Sequence, residues 1–197
     1  MVNPVIIVCV KEWNYTFYLA GYFQSSEMIY MIRMKRCENR WIKLKPYLIS
    51  IVIALGIGGL AAFLIKDNLA MYERIIRPVL APKAYVFPIA WTILYILMGI
   101  SSTRVWLQRK EKTELVLDAL MAYVIQLILN FFWSILFFNM QNFLFSFIWL
   151  VLLWIAIIIM IVRFYRVDPL AAYLQIPYLL WVTFAGYLNF MIYRLNP

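Results

Sequence analysis

Histidine is absent from all 197 residues. That excludes His-ligated zinc, a His axial ligand to haem, and any Ser-His-Asp or Cys-His catalytic constellation. Charge is scarce as well, at 14% of residues, where a soluble domain carries about 25%. Acids are the scarcer sign, nine against 18 Lys and Arg. None of them lies deep in an apolar run, which disfavours a proton-coupled carrier with a buried carboxylate relay. The two cysteines, Cys9 and Cys37, lack metal-type spacing. No metal site, acid–base pair or cofactor fingerprint is present, so no cofactor is expected. Apolar side chains dominate instead, at 66% of residues and a mean hydropathy of +0.84. The chain reads as membrane-embedded. In a soluble protein a net charge of +9 would suggest nucleic acid. Here the basic residues fall in short segments between apolar runs, where they fix topology and meet anionic headgroups. The expected surroundings are a lipid bilayer, with no nucleic-acid partner.

The apolar runs define an all-α integral membrane protein, a five-transmembrane-helix bundle, over residues 43–197. The first charge-free run is Pro46–Ile65 and the second opens at Ala84, giving spans near 46–65 and 84–106. After Asp118 no charge appears until Arg163, a run of 44 residues. That is too long for one ordinary span. The polar turn Asn139-Met140-Gln141-Asn142 divides it into spans near 118–138 and 143–163. The fifth span, near 169–194, opens at Asp168-Pro169, an N-cap acid with proline at the first helical position. Residues 1–42 form an N-terminal extension ending in a basic flank, expected to be unstructured or mis-started, with Met34-Lys35-Arg36 reading as a bacterial start. An interfacial segment is the alternative. Twelve Lys and Arg flank one side of the spans and five the other. The positive-inside rule then gives a multi-pass protein of the bacterial cell membrane, N-terminus cytoplasmic and C-terminus outside.

Several polar and aromatic residues stand out against this background. Trp181, Ala185 and Asn189 recur every four residues, so they share a helical face that combines an aromatic, a small residue and an amide. Such a face suits the wall of a binding site better than lipid. Trp91 and Tyr95 are likewise four apart; the pair fits core packing or a ligand wall. Gln126, Asn130 and Ser134 form a polar stripe beside Trp133. Inter-helix hydrogen bonding and direct ligand contact both remain open for it. The connection 66–83 is stiffened by Pro78 and Pro82. It reads as a cover for a cavity mouth or as a solvated connector. Ala54, Gly58 and Ala62 have the spacing that lets helices approach closely.

These residues resemble the translocator protein family, also called tryptophan-rich sensory protein, TspO/MBR, or peripheral benzodiazepine receptor. The resemblance lies in Tyr72…Arg77-Pro78…Pro82…Trp91-Thr92-Ile93-Leu94-Tyr95 and in Gln126-Leu127…Asn130-Phe131-Phe132-Trp133-Ser134. It continues in Pro169-Leu170-Ala171-Ala172…Pro177-Tyr178…Trp181…Phe184-Ala185…Leu188-Asn189. It covers all five spans in order. It implies a five-helix bundle, commonly a homodimer, with a pocket closed by the first long loop. The implied ligands are tetrapyrroles such as protoporphyrin IX, or other hydrophobic small molecules. Tyr72, Pro82, Trp91, Tyr95, Gln126, Asn130, Trp133, Trp181, Ala185 and Asn189 are the expected ligand-binding residues. The implied role is a sensor, carrier or scavenger. The alternatives are a light-dependent porphyrin-degrading enzyme, with Trp91 and Trp181 as redox-active side chains, and a structural membrane subunit without ligand. Two departures are visible. The loop Arg77-Pro78-Val79-Leu80-Ala81-Pro82-Lys83 lacks the family's loop Trp and one proline. Phe190 stands where the sterol motif has Tyr, so that motif is incomplete.

Overall fold

The computed structural model describes residues 15–24, 27–36 and 40–196, with side chains from residue 44 on. Cys9 and Cys37 lie outside the described residues. Two units are distinguished, Met1–Pro46 and Tyr47–Pro197. In the first, β1 (Tyr15–Gln24) and β2 (Glu27–Arg36) pair antiparallel, with Tyr15 opposite Arg36 and Gln24 opposite Glu27. This antiparallel pair lies in the N-terminal extension. Its cause is composition: Tyr15, Thr16, Phe17 and Tyr18, then Ile29, Tyr30 and Ile32, are aromatic or β-branched. Neither stretch is long enough to register as a span.

The second unit is an all-α membrane bundle. In chain order the helices are α1 (Arg40–Ile65), α2 (Met71–Arg74), α3 (Val86–Leu107), α4 (Thr113–Phe138), α5 (Phe143–Val167), α6 (Pro169–Tyr173) and α7 (Ile176–Leu195). Five helical stretches, with α6 and α7 counted as one, are long and apolar enough to cross a bilayer. Helices α1, α4 and α5 run several residues past the charge-free limits, into Arg40, Glu114 and Arg166. Long charged side chains at helix ends reach the interface, so a charge does not end a membrane helix. Pro46 lies inside α1. The break between α6 and α7 falls at Leu174 and Gln175, just ahead of Pro177 in the first turn of α7.

The polar turn after α4 is where the sequence places it. Gln141 takes a left-handed backbone, φ 51°, an uncommon conformation for a residue with a side chain. Asn142 Oδ1 then accepts from Phe145 N at 3.1 Å and caps α5. Asp168 caps α6 in the same way, accepting from Leu170 N at 3.0 Å, and its carboxylate pairs with Arg104 Nε at 2.7 Å.

Helix α5 supplies the centre of the core: Leu153, Ile157, Met160 and Phe164 are all fully buried. It packs on α4, α6 and α7, while α3 packs on α4 and α6. Helix α1 meets α3 through small residues. A Cβ on Gly99 would stand 2.6 Å from the Ile51 Cα, and the Ser50 and Ser102 hydroxyls are 2.7 Å apart. Elsewhere α1 exposes Leu48, Ile49, Val52, Ile53, Leu60 and Phe63, an apolar face suited to lipid.

Candidate ligand cavity

At the end of the bundle that carries the α1–α3 connection, the helices separate around a cavity of about 290 Å³. Small residues open it on one side: Gly58, Ala61 and Ala62 from α1, and Ala185 from α7. Aromatic rings close it on the other, with Phe87, Trp91 and Tyr95 from α3 and Trp133, Phe137 and Phe138 from α4. Trp91 is the hub of this wall. Its ring lies 5.8 Å from Tyr95, 6.3 Å from Trp133 and 6.2 Å from Tyr178. Contacts at these separations are favourable aromatic pairs. Among the described residues no charged side chain lines the cavity.

Of the ten expected site residues, six line this cavity: Tyr72, Trp91, Tyr95, Trp133, Ala185 and Asn189. Pro82, Gln126, Asn130 and Trp181 do not. Trp181 instead packs its ring against Phe87 and Phe184, at 6.0 and 5.9 Å. The four-residue spacing accounts for this placement. Each step of four overshoots a full turn by about 40°, so Trp181 and Asn189 differ by about 80° around the axis. Conversely, Phe87, Phe137, Phe138 and Ile192 line the cavity without having been singled out. They look like ordinary core residues in the sequence, and nothing in their spacing separates them from packing.

The polar stripe of α4 divides by depth. Ser134 lines the cavity. Gln126 and Asn130 are buried behind it, at 0% and 1% exposure. Gln126 Oε1 accepts from Tyr178 OH at 2.9 Å. The Asn130 amide stands beside the Tyr95 and Tyr178 hydroxyls without a bond of good geometry. Asn189 serves both readings of a polar residue in a membrane helix. It faces the cavity, accepts from Trp133 Nε1 at 3.2 Å and donates to Phe143 O at 2.8 Å. One amide thus joins α7 to α4 and to the start of α5.

The connection between α1 and α3 folds over the mouth. After a 3₁₀ turn at Lys66–Asn68, α2 presents Tyr72, which is buried and lines the cavity. Its ring meets Phe87 edge-on at 5.3 Å, and the Arg77 guanidinium lies 5.3 Å over it. Burial holds the Tyr72 phenol above its usual range, against a smaller opposing pull from Arg77. It is therefore a neutral donor at physiological pH. The connection is tied down from α7. Ile76 N donates to Asn196 Oδ1 at 2.9 Å, and Asn196 Nδ2 donates to Ile76 O at 2.9 Å.

Comparison with known proteins follows the same outline. The model of the TspO/MBR family matches residues 48–194. The tryptophan-rich protein TspO of Chlorobaculum tepidum is 38% identical over 159 residues, 81% of this chain and 99% of that one. TspO of Archaeoglobus fulgidus is 38% identical over 148 residues, covering 75% and 94%. The human translocator protein is 30% identical over 156 residues, covering 79% and 91%.

Proposed function

The chain belongs to the TspO/MBR family, and from that membership we propose that it binds a flat hydrophobic ligand of the tetrapyrrole class. Its role is then that of a membrane sensor, carrier or scavenger. The observation that carries this reading is the cavity itself: Trp91, Tyr95 and Trp133 give it aromatic faces, and Ser134 and Asn189 give it a few polar groups. Ligand pockets combine these features. At about 290 Å³ the cavity stands at the lower end of the range for drug-sized ligands, about 300–1,000 Å³. The test is a titration of the purified protein with protoporphyrin IX in the dark, followed by illumination. Saturable tryptophan quenching without new products supports binding. Absence of quenching refutes it and leaves the helix-joining role of Asn189.

Degradation of the ligand in light is a second reading, favoured by one observation. Trp91 lines the cavity and touches Tyr95, Trp133 and Tyr178, so an oxidised ring there has neighbours with which to share the hole. New absorbing products on illumination, lost in Trp91→Phe, would support it. Trp181 is less suited, since it does not line the cavity.

The basic asymmetry supports a bacterial cell-membrane topology with the cavity mouth outside. A cysteine replacing Ala81 then reacts with impermeant maleimide on whole cells, once Cys9 and Cys37 are replaced. Labelling only after lysis reverses the orientation. A chain beginning at Met34 should insert and bind as the full chain does. The family reading also includes a homodimer, which cross-linking in membranes tests.

A further inference from the structure

Resting on the ligand reading above, we propose that the cavity takes an anionic amphiphile end-on, with its apolar body inward and its carboxylate at the mouth beside Arg77 and the Tyr72 hydroxyl. The interior decides the first half. Among the described residues no charged side chain lines it, so a carboxylate carried inward would lose its water without gaining a cationic partner. The mouth decides the second half. The Tyr72 hydroxyl is buried with no hydrogen-bond partner, on a residue that is 6% exposed and lines the cavity. A buried donor without a partner is costly, and an incoming oxygen removes that cost.

Arg77 adds the charge. Its guanidinium lies 5.3 Å over the Tyr72 ring and it joins no ion pair among the described residues. Its neighbour Ile76 is held by the Asn196 amide through two bonds of 2.9 Å, so the backbone next to Arg77 is anchored over the mouth. A guanidinium stacked on an aromatic ring keeps its donor edge free for a planar carboxylate. Residues 66–85 carry four basic residues against two acids. The acids, Asp67 and Glu73, leave the segment net positive. Tyr72 and Arg77 together thus set the orientation of a ligand that carries acid groups on one edge.

The experiment compares protoporphyrin IX, a diacid, with its dimethyl ester. Both are titrated in the dark against the full chain in one neutral detergent, using wild type, Arg77→Gln and Arg77→Lys. The expected result is that wild type prefers the diacid and that Arg77→Gln weakens it about tenfold, a typical scale for one charge-assisted bond. Ester binding should not change, which also shows the variant to be folded. Arg77→Lys should keep part of the preference, and added salt should erode it in wild type. Equal loss of both ligands in Arg77→Gln, or no loss of either, overturns the proposal. If neither porphyrin quenches wild type, the ligand reading itself fails and the proposal falls with it.

Discussion

The two ends of the bundle are built from similar helices and solve opposite problems. At the end bearing the α1–α3 connection, small residues face aromatic ones and leave a cavity of about 290 Å³. At the other end the same helices close up and bury polar groups. Ser101 donates to Ala171 O at 2.6 Å, Ser50 meets Ser102, and the Arg104–Asp168 pair ties α3 to α6. Tyr123 and Phe164 fill the space between α4 and α5, with ring centroids 6.1 Å apart. The difference teaches that apolar content alone does not make a membrane core tight. Lipid tails are as apolar as leucine, so helices are joined by close approach and hydrogen bonds. Where close approach is withheld, a cavity remains even though Asn189 still joins α7 to α4 and α5 by hydrogen bonds.

Glycine offers the sharpest way to break the comparison. At the closed end Gly99 stands against the Ile51 backbone, 2.6 Å from where a Cβ would be, and backbone cannot swing away. Gly99→Val should cost about 3 kcal/mol or more, seen as a lowered melting temperature in detergent. Gly58 lies at the open end, and the atoms nearest its added Cβ belong to the Tyr95 ring. That ring has the cavity to move into, so Gly58→Ala should cost far less stability while narrowing the pocket. Equal destabilisation by the two would dissolve the distinction between the ends.

Next in size is Gln126→Leu, which leaves the fully buried Tyr178 without its acceptor. About 1–2 kcal/mol of stability should go, in ligand-free protein as well as bound. Ala185→Leu acts at the opposite end and in the opposite way. The branched side chain enters the cavity from a wall where there is room, so porphyrin affinity should fall about tenfold with little change in melting. A folded Ala185→Leu protein that binds as wild type does would remove Ala185 from the site. The smallest effect expected is from Trp181→Ala. Its ring supports Phe87 rather than the ligand, so its loss of affinity should be clearly less than that of Trp91→Ala. The reverse order would place the ligand outside the cavity described.

Much of this was legible in the sequence. Charge-free runs gave the spans, the Asn139–Asn142 turn gave the split between α4 and α5, and Asp168-Pro169 gave a capped start. Ala54 is fully buried and Gly58 lies under Tyr95, as the small-residue spacing suggests, whereas Ala62 of the same spacing is exposed. What failed to show is where helices part. Trp181 and Ala185 have the same spacing as Ala185 and Asn189, yet only the latter pair lines the cavity. Accumulated rotation separates them, and that depends on how α7 is turned against α3, which no single helix encodes. The hairpin of β1 and β2 was hidden for a different reason. Each strand is ten residues long, and a stretch of that length is too short to cross a bilayer as a helix.

The Asn196 amide has a consequence for kinetics. Its Nδ2 donates to Ile192 O as well as to Ile76 O, each at 2.9 Å. The cover and the last turn of α7 therefore share one donor. Fraying of the last turn of α7 would move the amide that holds the cover, which links the two. Ile192 also lines the cavity, which makes the final helical turn the hinge side of the entrance. If the proposed ligand enters past this turn, a substitution at Asn196, far from Trp91, should change its residence time while leaving the aromatic contacts intact.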